Sequence, residues 1–208
     1  MKANTTISPE LLDNQDQFTD NYFKQFPLRH NSKPLALTED ITKNYLFPTF
    51  YGDVSCSLAV FLCDYQAALA ILPDSTMKPV KMPGGKALLT ISCYEYKKVL
   101  GVAPYNEIAI TIPIQVSPTI DVPILPMLAE KLFSRFGYHV IHMPVTSLEN
   151  QIRGHKIWGL PKVVNDISIS IDSYKSTTVV KNEQGNEYLS LTIPTQGKLS
   201  HFDVSSNL

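Results

Sequence analysis

Apolar and polar residues alternate along most of the chain after residue 50, and a period of two is typical of strands with one buried face. The alternation predicts strands over residues 54–63, 87–97, 105–116, 138–145, 167–171, 176–181 and 188–193. Helical patterns do not alternate regularly with these strands, which disfavours a doubly wound parallel sheet. The sequence therefore predicts an α+β protein with a mainly antiparallel sheet or barrel and a few short accessory helices.

Three short helices are predicted between these strands. Asp64 is placed to cap a helix over residues 65–72, which Pro73 ends. A second helix is predicted over residues 126–136, with a glycine at 137 as its end, and a third over residues 147–153. A bend at residues 158–162 follows the third helix.

The first 46 residues have a different pattern from the rest of the chain. Four aromatic residues recur there at roughly helical spacing, namely Phe18, Tyr22, Phe23 and Phe26. They predict one or two short amphipathic helices, followed by a polar loop over residues 29–43. We therefore divide the chain into a helical N-terminal arm or extension, residues 1–46, and a β domain, residues 47–208. The arm is expected to pack on the domain or on a neighbouring subunit.

Composition and charge narrow the functional class. The 208 residues are 44% hydrophobic and 18% charged, with a formal net charge of −1, so charge gives no reason to expect nucleic acid or an anionic membrane as a partner. No apolar stretch approaches the length of a membrane span, and the polar start lacks the apolar core of a signal peptide. Cys56, Cys63 and Cys93 are odd in number and no secretory signal is present, which predicts reduced thiols in a cytoplasmic protein. All three lie in apolar, strand-like runs, so we expect them to pack in the core.

Metal and serine chemistry find little support in the sequence. His139 and His142 are three residues apart on a predicted strand, and this spacing puts them on opposite faces. We therefore predict no metal site. No GxSxG sequence marks a nucleophilic serine. Lysine chemistry remains as the candidate.

Residues 154–162, Gly-His-Lys-Ile-Trp-Gly-Leu-Pro-Lys, place Lys162 directly after a constrained turn with apolar neighbours. One interpretation is that Lys162 begins a strand and points to water, as most lysines do. The other is a reactive amine. An unperturbed lysine has only about one neutral amine in two thousand at pH 7. Burial against Trp158, Leu160 and Pro161 would lower the pKa and increase the neutral fraction.

Glu107 is the natural companion of such a lysine. It lies early in an otherwise apolar strand, in the sequence Tyr105-Asn106-Glu107. A charged residue within a buried strand needs a partner or a function. The alternative is that this end of the strand is exposed and that Glu107 is solvated.

At these residues the chain resembles the acetoacetate decarboxylase family. Two motifs carry the resemblance: the glycine-led segment 154–162, which ends in Pro-Lys, and the Tyr-x-Glu of Tyr105 and Glu107 at the start of a core strand. The order and approximate separation of the motifs agree as well. The resemblance covers roughly residues 51–171.

The resemblance implies a cone-shaped β-barrel and a Schiff-base lysine in a hydrophobic pocket. By position that lysine is Lys162, which would condense with the ketone of a β-keto acid and release carbon dioxide. Glu107 would position the substrate or transfer protons, and the pocket would include Tyr105, Trp158 and Leu160. No cofactor is implied, and the family suggests a homo-oligomer.

Several positions depart from the family pattern. Val163 stands where a second lysine commonly follows, the first core strand near Val54 has no arginine for a substrate carboxylate, and Thr90 or Ser92 replaces a second glutamate. The chain also ends about 46 residues after Lys162, so a domain incomplete at its C-terminus is one expectation.

Because of these departures, three alternative functions remain. The first is a decarboxylase in which Arg153 or His155 replaces the missing arginine. The second is a Schiff-base aldolase or dehydratase that acts on a pyruvate-like keto acid. The third is a binding module for a small carbonyl compound, without catalysis.

Overall fold

The computed structural model describes residues 1–8, 11–120 and 122–196. The strands within these residues are β1 (Arg29–His30), β2 (Leu35–Ala36), β3 (Thr42–Lys43), β4 (Leu46–Phe47), β5 (Tyr51–Asp64), β6 (Met77–Pro79), β7 (Lys86–Val99), β8 (Tyr105–Val116), β9 (Phe136–Val145), β10 (Lys162–Val164), β11 (Asp166–Ile171), β12 (Lys175–Lys181) and β13 (Glu187–Pro194). The helices are α1 (Asn21–Lys24), α2 (Tyr65–Ala70), α3 (Leu125–Leu128) and α4 (Leu148–Trp158), with 3-10 turns at Gln15–Gln17 and Glu130–Leu132.

The largest sheet has six strands in the order β10-β9-β8-β7-β5, and β6 pairs with β8 beside this path. Its pairs are antiparallel except for β10, which is parallel to β9 because helix α4 connects the two strands as a crossover. The prediction of a mainly antiparallel protein with few helices is confirmed. Strands β10 and β5 form the two edges of the sheet in the described residues, so the closed barrel is not confirmed and stays a prediction.

One face of this sheet is covered by the three-stranded sheet β11-β12-β13. The core between the two sheets consists of Ile91, Cys93, Ile108, Ile167 and Val180. Alternate residues of β7 and β8 supply the first three of these side chains, which is the pattern that predicted both strands.

The opposite face of the sheet carries Glu107. Cys56, Tyr94 and Glu107 lie side by side on β5, β7 and β8, in one row across the three strands. On β5 the side chains of this face are exposed, with Leu58 at 55% and Leu62 at 64%. The prediction that all three cysteines pack in the core is therefore wrong for Cys56, because it belongs to this exposed edge.

Helix α2 follows its prediction. Asp64 caps it by accepting a hydrogen bond from the Ala67 N–H at 2.9 Å. Ala68 on the inner side of the helix packs with Ala87 and Ile112 of the sheet. This cluster closes the end of the core that the three-stranded sheet does not cover.

The prediction of a helix over residues 126–136 is wrong. The structure has only the four residues of α3 and a 3-10 turn there, and Gly137 lies inside β9 instead of ending a helix. Leu128 and Leu132 are 76% and 80% exposed. In the described residues, these side chains thus have no core to pack against. A longer helix does not form because helical stability comes mostly from such packing.

Helix α4 runs 11 residues and is longer than the predicted 147–153. Ser147 caps its start by accepting from the Asn150 N–H at 3.3 Å, and Gly159, with a φ of 66°, ends it in the left-handed conformation. Trp158 therefore belongs to the helix, and the predicted bend narrows to residues 159–161. In the described part of the chain, no helix is long and apolar enough to cross a membrane.

The N-terminal region is helical only in part. Phe18, Phe23 and Phe26 contact Phe50 around the short helix α1, whereas the predicted loop over residues 29–43 contains β1, β2 and β3. The Met1 amine donates to the Ile167 carbonyl, which ties the start of the chain to the three-stranded sheet. The division of the chain at residue 46 stays a prediction.

Candidate active site

Lys162 and Glu107 form a buried ion pair. The Lys162 Nζ lies 2.5 Å from the Glu107 Oε2, and the two residues are only 5% and 6% exposed. The interpretation that Lys162 points to water is therefore wrong, and so is the interpretation that Glu107 is solvated at an exposed strand end. Strands β10 and β8 flank β9, so the lysine side chain reaches across one strand, over about 9 to 10 Å, to meet the carboxylate.

Helix α4 supplies the surface on which the lysine side chain lies. Gly154 has no side chain, and a Cβ built there would be 2.4 Å from the Lys162 Cδ and 2.7 Å from its Cε. The helix backbone can therefore approach the lysine closely. On another side, the Lys162 Nζ lies 5.7 Å from the ring centroid of Tyr105, within range of a cation–π contact.

Tyrosine rings form the wall beside the ion pair. Tyr105 is 1% exposed, its ring centroid lies 4.8 Å from that of Tyr96, and Tyr96 stacks on Tyr94 at 5.3 Å. Burial, and after it the negative charge of Glu107, raise the pKa of the Tyr96 and Tyr105 phenols. Both phenols therefore stay protonated at neutral pH, and the wall around the ion pair is aromatic and uncharged.

Helix α4 carries a buried carboxylate, Glu149, that the sequence did not predict as part of the site. The Glu149 Oε1 accepts from the Lys43 Nζ at 2.8 Å and from the Tyr45 hydroxyl at 2.7 Å. Burial and the Glu149 charge raise the pKa of the Tyr45 phenol, so it remains a donor. No local pattern connects Lys43 and Tyr45 to a helix more than a hundred residues later.

Arg153 lies next to this group and is 1% exposed. Its guanidinium donates from Nη1 to the Asn150 Oδ1 at 3.3 Å and from Nη2 to the Thr49 Oγ1 at 3.2 Å. It is also stacked against two aromatic rings, 4.8 Å from the centroid of Tyr45 and 5.2 Å from that of Trp158. Trp158 thus packs on Arg153, and its predicted place beside Lys162 stays a prediction.

The remaining predicted residues contact Lys162 through its backbone or its turn. His155 is exposed, and its Nε2 donates to the Lys162 carbonyl at 2.7 Å. Leu160 is half-buried and donates its N–H to the Gly154 carbonyl at 3.0 Å. These contacts fix the turn that leads to the lysine. Among residues 1–8, 11–120 and 122–196, no cluster of His, Cys, Asp and Glu side chains could hold a metal ion.

The chain is similar to known proteins over most of its length. The model of the acetoacetate decarboxylase family matches residues 32–205, which is most of the chain. The chain belongs to the acetoacetate decarboxylase family. The matched range includes Lys162, Glu107 and Arg153.

Two solved structures of acetoacetate decarboxylases have a similar fold. That of Legionella pneumophila subsp. pneumophila str. Philadelphia 1 has a TM-score of 0.56 at 13% identity, over 94% of this chain and 61% of its own. A second acetoacetate decarboxylase has a TM-score of 0.55 at 13% identity, over 71% of this chain and 51% of its own. The chain thus spans between half and three fifths of the length of these structures. No curated protein matches the sequence.

The departures from the acetoacetate decarboxylase pattern have defined places in the structure. Val163, in the position of the second lysine, is half-buried in β10. Thr90 is buried, and its hydroxyl pairs with that of Thr111 on the neighbouring strand. Arg153 is the only buried arginine in the described part of the chain, and it comes from helix α4 instead of the first core strand.

Proposed function

We propose that this protein is an acetoacetate decarboxylase-like lyase that forms a Schiff base between Lys162 and a β-keto acid and releases carbon dioxide. The observation that carries the proposal is the buried pair in which the Lys162 Nζ lies 2.5 Å from the Glu107 Oε2. A lysine must be neutral to attack a ketone, and the adjacent carboxylate is placed to accept its proton. Membership of the family supports the same reaction class.

The reaction begins when the Lys162 amine adds to the ketone carbon and a water molecule leaves, which gives a protonated imine. The bond between the α-carbon and the carboxylate then breaks, and its electron pair moves toward the imine nitrogen. Carbon dioxide and a neutral enamine result. A proton added to the enamine carbon restores the imine, and water releases the ketone product and the free amine.

Glu107 is proposed to move protons at the lysine nitrogen. Its Oε2 is within hydrogen-bond distance of Nζ, so it can take the proton of the ammonium before attack and return it during formation and hydrolysis of the imine. A buried site also favours the central step, because the substrate carboxylate loses its charge when it becomes carbon dioxide.

Pocket roles follow from the contacts. Tyr105 would hold the cationic imine against its ring, as it now holds the ammonium. The bare backbone at Gly154 would keep the lysine stem in one conformation. Leu160 and His155 would act indirectly, by fixing the turn before Lys162.

Borohydride trapping tests the proposal. The protein is incubated with acetoacetate, and separately with pyruvate, then reduced and mapped by mass spectrometry. We expect a reduced adduct on Lys162 whose mass shows that carbon dioxide has left, and no adduct in Lys162→Ala. Lys156→Ala, which changes an exposed lysine of the same helix, is the control and should react normally. Failure of both compounds to form an adduct would refute the proposal.

A Schiff-base aldolase or dehydratase is the second candidate. It is favoured by Val163, which stands where decarboxylases of the family carry a second lysine, and by Thr90 or Ser92, where they carry a second glutamate. The same imine would serve as the electron sink for a pyruvate-like substrate. A trapped pyruvate adduct that retains its carboxylate would select this reaction, and binding of a carbonyl compound without an adduct would select a binding module.

Oligomeric state and compartment are part of the same proposal. The family resemblance suggests a homo-oligomer, and light scattering of the purified protein would show a mass above the 23.3 kDa of one chain. The three free cysteines suit a reducing cytoplasm.

A further inference from the structure

Helix α4 carries two buried side chains that the imine chemistry does not use, Asn150 and Arg153. Each is 1% exposed. The Asn150 Oδ1 accepts from the Arg153 Nη1, while the Asn150 Nδ2 and the Arg153 Nε have no hydrogen-bond partner in the described structure. Two neighbouring buried donors thus lack an acceptor, and such groups are rare in folded proteins.

In the described residues, Arg153 also has no carboxylate in direct contact. Within the described residues no Asp or Glu makes a salt bridge with it, and Glu149, on the preceding turn of the helix, pairs with Lys43. The guanidinium is held by two neutral oxygens and two aromatic rings. A buried charge is ordinarily paired, because its removal from water costs several kcal/mol.

A ligand that suits both donors accepts hydrogen bonds and carries negative charge. A carboxylate does both, since it offers only acceptors and pairs strongly with a guanidinium. A water molecule would satisfy a donor but would leave the charge uncompensated. The chemistry of these two donors therefore favours an organic carboxylate.

The position of Arg153 connects this site to the lysine. Arg153 directly precedes Gly154, whose backbone supports the Lys162 side chain. The Lys162 Nζ in turn lies 5.7 Å from the ring centroid of Tyr105. Tyr45, which stacks on the guanidinium, belongs to one hydrophobic cluster with Tyr105.

We propose that Arg153 and Asn150 form the binding site for the substrate carboxylate, on the crossover helix instead of the first core strand. The identity of the ligand as substrate rests on the proposed function, whereas the site itself does not. It follows that His155, exposed and bonded to a backbone carbonyl, does not replace the missing arginine.

Trp158 provides a direct readout of this site. It is the only tryptophan in the sequence, and its ring lies 5.2 Å from the guanidinium carbon of Arg153. A carboxylate that pairs with Arg153 would change the electrostatic field at the indole and therefore its fluorescence. At 47% exposure, Trp158 also separates the guanidinium from solvent on its side.

The test uses 3-hydroxybutyrate, which has the carboxylate of the substrate but no ketone and so cannot form an imine. Binding is measured by calorimetry and by Trp158 fluorescence in the wild type, in Arg153→Met, and in Arg135→Met as control. Arg135 is exposed and donates to the Ser117 carbonyl. We expect Arg153→Met to bind at least about tenfold more weakly, and Arg135→Met to match the wild type. The methyl ester, which lacks the charge, should bind the wild type and Arg153→Met equally.

Asn150→Asp is a second variant that tests the carboxylate site if Arg153→Met does not fold. This substitution preserves the shape and places a carboxylate beside the guanidinium, so the protein should become more stable and lose its affinity for 3-hydroxybutyrate. Equal binding by wild type and both variants, or no binding by the wild type, would overturn the carboxylate site and leave Arg153 as a structural cation. Since 3-hydroxybutyrate forms no imine, these outcomes do not depend on the borohydride result.

Discussion

Gly154 and Lys162 are in such close contact that a side chain at position 154 would displace the lysine. A Cβ there would lie 2.4 Å from the Lys162 Cδ and 2.7 Å from its Cε, and real Cβ atoms essentially never come within 3.0 Å of a non-bonded heavy atom. The lysine can reach Glu107 only because the helix presents bare backbone at this point. The position of the amine is thus set by the helix as much as by its own strand.

Gly154→Ala should displace the lysine side chain and break the ion pair with Glu107. We expect the yield of borohydride-trapped adduct to fall at least about tenfold, together with a loss of about 1–3 kcal/mol in the free energy of unfolding, as overpacking usually causes. Trapping and urea denaturation measure the two effects. Gly137→Ala is the control, because nothing lies within 4 Å of a Cβ at that position. Full adduct formation in Gly154→Ala would show that the contact does not control the amine.

Glu107 and Lys162 should be strongly coupled in stability. Glu107→Gln leaves a buried ammonium and Lys162→Met leaves a buried carboxylate, and each should lower the free energy of unfolding by about 3 kcal/mol. The double variant buries neither charge and should lose less than the sum. Urea denaturation of the four proteins gives the coupling energy.

The exposed pair Lys97 and Glu95, with atoms 3.5 Å apart and side chains 43% and 31% exposed, is the matched comparison. Its coupling should be below about 1 kcal/mol. Additive losses at Glu107 and Lys162 would contradict a buried ion pair.

Stability should fall at alkaline pH because of the buried phenols. Burial is the largest cause of the raised pKa of Tyr45, Tyr96 and Tyr105. Above a pH of about 10 the unfolded chain loses these protons while the folded protein keeps them, so the unfolded state binds fewer protons and stability decreases with rising pH. Urea denaturation between pH 8 and pH 11 should show the decline. Tyr96→Phe should reduce the slope, and an unchanged slope would be evidence against this explanation.

The three thiols should react with a thiol reagent in order of their exposure. Cys56 is exposed, Cys63 is half-buried and Cys93 is buried, and burial raises the pKa of the Cys93 thiol. At pH 8 we expect Cys56 to be modified first and Cys93 only after unfolding, because the thiolate is the reactive form. The release of chromophore from an aromatic disulfide reagent measures the rates. Cys56→Ser should remove the fast phase, and rapid labelling of Cys93 in the folded protein would contradict its burial.

Local patterns were sufficient to predict most of the sheet. The alternating residues of β7 and β8 face a core on one side, so period two and burial agree there. In the segment after Pro126 the apolar spacing looked helical, but Leu128 and Leu132 face outward. A single sequence does not show whether an apolar residue finds a surface to pack on, and this is why the helix was predicted in error.

The sequence was sufficient to predict those residues of the candidate site that carry a charge among apolar neighbours. Lys162 and Glu107 stood out for that reason, and both are buried as a pair. The contacts of Glu149 with Lys43 and Tyr45 could not be foreseen, because they join residues more than a hundred positions apart. The need for a glycine at 154 depends equally on how closely two elements approach, which only the fold determines.

The crossover from β9 through α4 to β10 has a consequence for the order of folding. Strands β5, β7, β8 and β9 pair antiparallel with one another, whereas β10 pairs in parallel with β9 after the crossover helix α4. Lys162 meets Glu107 across 55 positions of sequence, and contacts of such separation form slowly because loop-closure entropy opposes them. We therefore expect the amine to reach its carboxylate late in folding.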